Sequence, residues 1–155
     1  MKVVSNASPI IFLSKLQGIT LLPECFGNVV ISEAVEQELG SLAPIPGIPI
    51  LPISAAGQRF VEGALGRLHR GELESMTLAR EIQADYVLLD DLLARRRAQR
   101  IGLHTMGTVG VIVLACRQGR IAGETAIAWL DELIHCHGLY LSAELANRVR
   151  AALAE

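Results

Sequence analysis

The stretch YVLLDDLLARRRAQRIGLHTM, residues 86–106, decides the fold. Tyr86–Leu89 is a short apolar run, the mark of a strand buried on both faces, as in parallel sheets covered by helices. Two aspartates follow, and Leu92–Arg100 is a helix, with Arg96 and Arg100 four residues apart on one face. Leu103–Met106 is a second short strand. Strand, helix and strand in such close succession make a βαβ unit, whose two strands lie parallel in one sheet.

The same alternation continues on both sides. Upstream, Lys2–Ser5 is a strand and about Pro9–Leu16 a helix, with Ser8 as its N-cap and Pro9 in its first turn. Val29–Ile31 is a strand; Ser32 caps a helix that runs to about Leu39, where Gly40 supplies the stop. Residues 41–54 hold four prolines, which exclude a long helix and leave an extended connector with a strand near Ile48–Ile50. Residues 55–68 are expected to be helical, and Gly71–Ile82 an amphipathic helix. Downstream come an apolar helix, Val109–Arg117, and a helical tail from about Thr125 with a break near Gly138. The pattern predicts one α/β domain over residues 1–155, built on a parallel sheet, without internal repeats.

Composition narrows the class. Half the residues (51%) are hydrophobic and only 4% aromatic, so the core is aliphatic and the chain is not disordered. Cys25, Cys116 and Cys136 are odd in number and widely spaced, which predicts reduced core thiols in a cytoplasmic protein. No run approaches the roughly 20 apolar residues of a membrane span. In MKVVSNASPIIFLSKL, Asn6, Pro9 and Lys15 interrupt any signal-peptide core. A net charge of −2 supplies no overall attraction for nucleic acid, so any such role requires a local basic patch or bound cations.

Ligands of open α/β sheets bind beyond the carboxyl ends of the strands. Three strand ends deliver polar residues there: Ser5-Asn6-Ala7-Ser8, Asp90-Asp91 and Gly107-Thr108. Glu38 and Glu72 lie on helices that can join them. Converging carboxylates repel unless a cation neutralises them, and oxygen donors without nearby His or Cys select Mg²⁺ or Mn²⁺. Each residue also has a plainer role. Asn6 and Ser8 suit a helix cap, and Asp90 or Asp91 a cap for the helix at Leu92. Glu33, Glu36 and Glu74 read as surface acids. Arg95, Arg96, Arg97 and Arg100 form the one basic concentration, either a phosphate grip or a solvated face. Thr108 reads as an N-cap with a hydroxyl at the site's edge, and Trp129 as core or interface. His135-Cys136-His137 lacks a fourth ligand, and its consecutive side chains diverge. A phosphohydrolase using Asp90 as nucleophile needs a nearby lysine, yet the only lysines are Lys2 and Lys15.

In order, VVSNASPIIFLSKL, VISEAVEQELG, GELESMTLA, YVLLDDLLARRRAQRIGL and MGTVGVIVLA resemble the PIN-domain family, from residue 2 to about residue 145. The nearest likeness is to small prokaryotic PIN-like proteins, many of them toxins of toxin–antitoxin pairs. The resemblance implies a three-layer Rossmann-like fold and a Mg²⁺- or Mn²⁺-dependent ribonuclease. It implies an acid cluster at Glu38, Glu72 and Asp90 or Asp91, with Asn6 standing where the family has an aspartate. Ser8, Arg95 and Thr108 would assist at the substrate. RNA, an antitoxin protein and a second copy of the chain are the partners it implies. Asn6 removes one negative charge, which also admits a weakened relative that binds nucleic acid or protein without cleaving.

Overall fold

The computed structural model describes residues 1–155. Strands β1 (Lys2–Ser5), β2 (Asn28–Ser32), β3 (Ile50–Leu51), β4 (Tyr86–Leu88) and β5 (Thr105–Met106) form one parallel sheet, in the order β3-β2-β1-β4-β5. The helices are α1 (Ala7–Lys15), α2 (Leu21–Phe26), α3 (Glu33–Leu39), α4 (Ala55–Ala64), α5 (Arg70–Glu81), α6 (Leu92–Arg100), α7 (Thr108–Arg117), α8 (Gly123–Cys136) and α9 (Ala143–Ala154).

Strand side chains alternate between two cores, which makes the three layers. Val3, Val29, Ile31 and Leu88 join the core under α1, α2, α7 and α8. Val4, Val87 and Leu89 join the other, under α4, α5 and α6. Because both faces are covered, the strands are apolar without a polar alternation, as the sequence pattern requires. Burying a side chain such as Ile31 or Leu88 contributes about 1.5–3 kcal/mol, so both faces hold the sheet.

Ser32 caps α3 as expected, its Oγ accepting from the Val35 N–H at 3.2 Å, and Gly40 ends the helix with φ of +55°. Several boundaries differ. α1 begins at Ala7, so Asn6 and not Ser8 holds the cap position. α7 begins at Thr108, with Gly107 in the cap position expected for Thr108. α2 was not expected: six residues containing Pro23 are too short for a periodic signal. α4 stops at Ala64, and the strand expected near Ile48–Ile50 forms at Ile50–Leu51, where it pairs with β2. The first two residues of the expected Leu103–Met106 strand lie outside β5.

α5 is not amphipathic, since every residue from Gly71 to Ala79 is buried. Glu74, expected at the surface, is 4% exposed. Its Oε1 accepts from the Ala34 N–H at 3.1 Å, so it satisfies an orphan donor of α3 from a neighbouring helix. The cysteines also differ from expectation: Cys25 and Cys116 are half-buried and Cys136 is exposed. Burial nevertheless pushes the Cys25 thiol up, against the Arg120 charge, away from reactive thiolate. Trp129 covers Gly18, where a Cβ would come within 2.8 Å of the indole. No helix is long and apolar enough to cross a membrane.

Candidate active site at the sheet switch point

β1 lies in the middle of the sheet. The chain leaves it for β2 on one side and later supplies β4 on the other, so a crevice opens at the carboxyl ends of β1 and β4. Asn6 directly follows β1. Its backbone N–H donates to the Leu88 carbonyl at 3.0 Å, which extends the β1–β4 ladder and pins the residue at the crevice. Its side chain makes no capping bond, and its Oδ1 is buried with no hydrogen-bond partner. A buried carbonyl oxygen left unpaired costs about 1–3 kcal/mol, so this position is held for something other than a cap.

The crevice is a cavity of about 640 Å³. Asn6 and Ser8 reach it from the start of α1, Glu38 from the end of α3, Glu72 from the first turn of α5, and Asp91 with Leu93 from the start of α6. Three basic groups complete the wall: Arg67, His69 and Arg70, immediately ahead of Glu72. The sequence reading missed these three, although RLHRGE places them beside the acid in the sequence.

Two acids have one oxygen engaged by backbone. Glu72 Oε1 accepts from the His69 N–H at 3.1 Å, and Asp91 Oδ2 accepts from the Ala94 N–H at 2.9 Å, capping α6. Glu38 is exposed as a residue, but its carboxylate lies partly buried over Gly71, where any Cβ would collide with it. The same missing Cβ leaves the Asn6 Oδ1 clear, 3.4 Å from where it would stand.

Asp90 turns away from the cavity. Its Oδ1 accepts from the Thr108 N–H and its Oδ2 from the Thr108 hydroxyl, both at 2.7 Å. Arg95 lies on the same side, near Gly107 and Asp90. So the structure gathers Asn6, Ser8, Glu38, Glu72 and Asp91, and separates Asp90, Arg95 and Thr108 as a second group tying α6 to α7.

Burial raises the Glu38 carboxyl pKa, against the His69 charge and a Gly71 N–H. It raises Glu72 as well, against the His69 N–H, with Asp91 and Glu38 adding repulsion. Asp90 is raised by burial against its bonds to Thr108 and the Arg95 charge. A carboxyl whose folded pKa lies above its unfolded value favours the folded state most when protonated. That stability is present in acid and is lost as pH rises from the unfolded carboxyl pKa of about 4 through the raised folded values. The metal-free protein is therefore expected to lose melting temperature across that window, in a series of thermal melts, and Mn²⁺ should flatten the slope. A melting temperature that climbs through the same window would contradict the picture.

A divalent cation suits the hard carboxylate oxygens, the partnerless amide oxygen and the glycine that leaves room between them, but His69 on the same wall corrects the expectation of acids without a nearby histidine. No group of three His, Cys, Asp or Glu side chains is drawn together to hold an ion.

A parallel sheet between helix layers, with an oxygen-rich pocket at its switch point, defines a Rossmann-like α/β protein. A family model described as a PIN domain matches residues 2–155, and the chain belongs to the PIN-domain family. That fold is nuclease-like, and its members generally use divalent metal ions. No curated protein matches the chain.

Proposed function

We propose that the protein is a Mg²⁺- or Mn²⁺-dependent ribonuclease, the toxin of a toxin–antitoxin pair, acting in the cytoplasm as a homodimer of chains that each form one PIN domain. The observation that carries this reading is the buried, partnerless Asn6 Oδ1 facing one cavity with Glu38, Glu72 and Asp91. Those three carboxylates would hold the ion, with the amide oxygen as a neutral donor. When bound, the ion supplies Lewis-acid stabilisation of charge on a phosphodiester. Glu38 and Asp91 are exposed, so side-chain rotation alone can close them on it. His69 and Arg67 face the same space and can meet phosphate oxygens. Asp90 serves as a positioning residue through Thr108. Tyr140 and Leu145, 89% and 42% exposed, favour an apolar contact with a second copy or an antitoxin.

The test is cleavage of a mixed single-stranded RNA pool with Mn²⁺, with Mg²⁺ and with EDTA. Cleavage that needs metal and disappears in Glu72→Gln is expected; cleavage that survives EDTA sinks the reading. The second reading, a binding module, is favoured by Asn6 standing where the family has an acid. It predicts no cleavage by folded protein under either metal. Asn6→Asp separates the two through activity: cleavage that appears only in this variant supports the binding module, and ordinary turnover by the native chain removes it. The substitution should also tighten Mn²⁺ by about tenfold in a calorimetric titration, because ligand charge sets affinity at oxygen sites. In the metal-free protein it should lower the melting temperature, by adding a buried charge beside Glu38. Unchanged Mn²⁺ affinity would remove Asn6 from the ligand set.

A further inference from the structure

Beside the acid pocket lies a second cavity, of about 320 Å³, whose polar lining is four arginines and no acid: Arg67, Arg96, Arg97 and Arg100. Its geometry follows from α6. Ala94 and Ala98, four residues apart, are fully buried in the core. Leu93, Arg96, Arg97 and Arg100 recur at i, i+3, i+4 and i+7, so they share one stripe of the same helix. That stripe faces the turn ahead of α5, from which Arg67 and Leu68 complete the groove. Arg67 and Leu93 line both cavities, so the groove and the acid pocket are continuous.

None of the four guanidinium groups is in an ion pair. The salt bridges of the chain use Arg70, Arg150 and His137 instead. Arg97 and Arg100 complement the carboxyl end of α6, which accounts for their tolerance but not for their convergence with Arg67 and Arg96. Like charges lining one concave wall repel, and a polyanion relieves that repulsion. Although the net charge is −2, the chain gathers four arginines around a groove without an acid, next to the pocket that holds Glu38, Glu72 and Asp91.

We propose that this groove binds the phosphates of a single-stranded RNA on one side of the acid pocket. Rested on the ribonuclease reading, this sets the register of the strand: the phosphate in the acid pocket is the one attacked, and its neighbours lie against Arg67, Arg96, Arg97 and Arg100. A strand passing from one cavity into the other crosses Arg67 and Leu93, which line both. Leu93, 43% exposed, gives bases or riboses an apolar surface between the charges. Backbone contacts of this kind position a strand without reading its sequence.

The test measures binding alone. Fluorescence anisotropy with a fluorescein-labelled 12-nucleotide oligouridylate, in EDTA, follows the full chain at several KCl concentrations. Arg96 and Arg100 are exposed, so Arg96→Ala/Arg100→Ala should fold normally. This variant is expected to bind at least about tenfold more weakly. Its salt dependence should flatten by about 1.4 in log–log slope, two contacts at about 0.7 each for a single strand. Arg117→Ala/Arg148→Ala removes the same charge from exposed positions outside the groove and should stay within about twofold of wild type. Equal loss in both pairs, or no loss in the first, overturns the proposal. So does displacement of the RNA by a 12-residue oligoglutamate at matching concentration, which would assign the groove to an acidic protein segment. Because no metal is present, RNA held in the groove but never cleaved when Mn²⁺ is added would leave the proposal standing and remove the ribonuclease reading.

Discussion

Asp91→Asn is expected to cut metal-dependent RNA cleavage by roughly a hundredfold or more, the upper end of what even the groups behind metal ligands cost. Its stability should hardly change. Asn is as good an N-cap as Asp, so the bond from the Ala94 N–H survives while the charge facing Glu72 is lost. Asp90→Ala should do the reverse. It strips the acceptors from the Thr108 N–H and hydroxyl, and Thr108 is fully buried. It also removes a negative charge that interacts with Arg95, whose Nε is already buried without a partner. A loss of about 2–4 kcal/mol is expected from two donors left unsatisfied, read from denaturant midpoints. Full cleavage by Asp91→Asn, set against a folded but inactive Asp90→Asn, would exchange the roles assigned to the two aspartates.

Gly71→Ala carries the second large effect. Gly71 has no left-handed backbone to protect, and alanine favours a helix over glycine by up to about 1 kcal/mol, so α5 itself should tolerate the change or gain from it. The new Cβ, however, collides with the Glu38 carboxylate and approaches Asn6 Oδ1 to 3.4 Å. Glu38 is the flexible partner and must swing out of the pocket. The expected result is a melting temperature equal to or above wild type, Mn²⁺ affinity reduced about tenfold, and cleavage reduced at least in proportion. Unaltered Mn²⁺ affinity in this variant would show that Glu38 holds no ion from its position over Gly71.

The fold was legible where burial imposes a period. Leu92–Arg100 read true, and the strand expected at Tyr86–Leu89 forms one residue shorter at Tyr86–Leu88, because a doubly buried strand has no polar alternation and α6 has a two-alanine core stripe. α2 was not legible, since six residues are too few for a helical period; the end of α4 went unread although Gly66, a stop signal, directly follows its cap at Leu65. Asn6 and the Asp90-Asp91 pair stood out as polar residues directly after strands, whereas Glu38 and Glu72 were raised above ordinary helix acids only by the family resemblance. The choice between Asp90 and Asp91 was not legible. It depends on Thr108, which is brought within 2.7 Å of Asp90 only by the pairing of β4 with β5. Glu74 misled for a similar reason: its partner is an N–H of another helix, 40 residues away. Arg67, His69 and Arg70 went unassigned because a basic run ahead of a helix reads as solvated until that helix end is seen to point into a cavity.

The central position of β1 bears on how the chain comes off the ribosome. Its first strand pairs with β2 early, but its other edge waits for β4, and Lys2 finds its acceptor on Asp85, 83 residues later. The pocket draws on Asn6, Glu38, Glu72 and Asp91, so no fragment that ends before residue 91 contains it. Contacts so far apart in sequence form late and slowly. During synthesis, therefore, an unfinished chain carries half a sheet and no complete pocket, and whatever the pocket does cannot begin until about three-fifths of the chain has been translated.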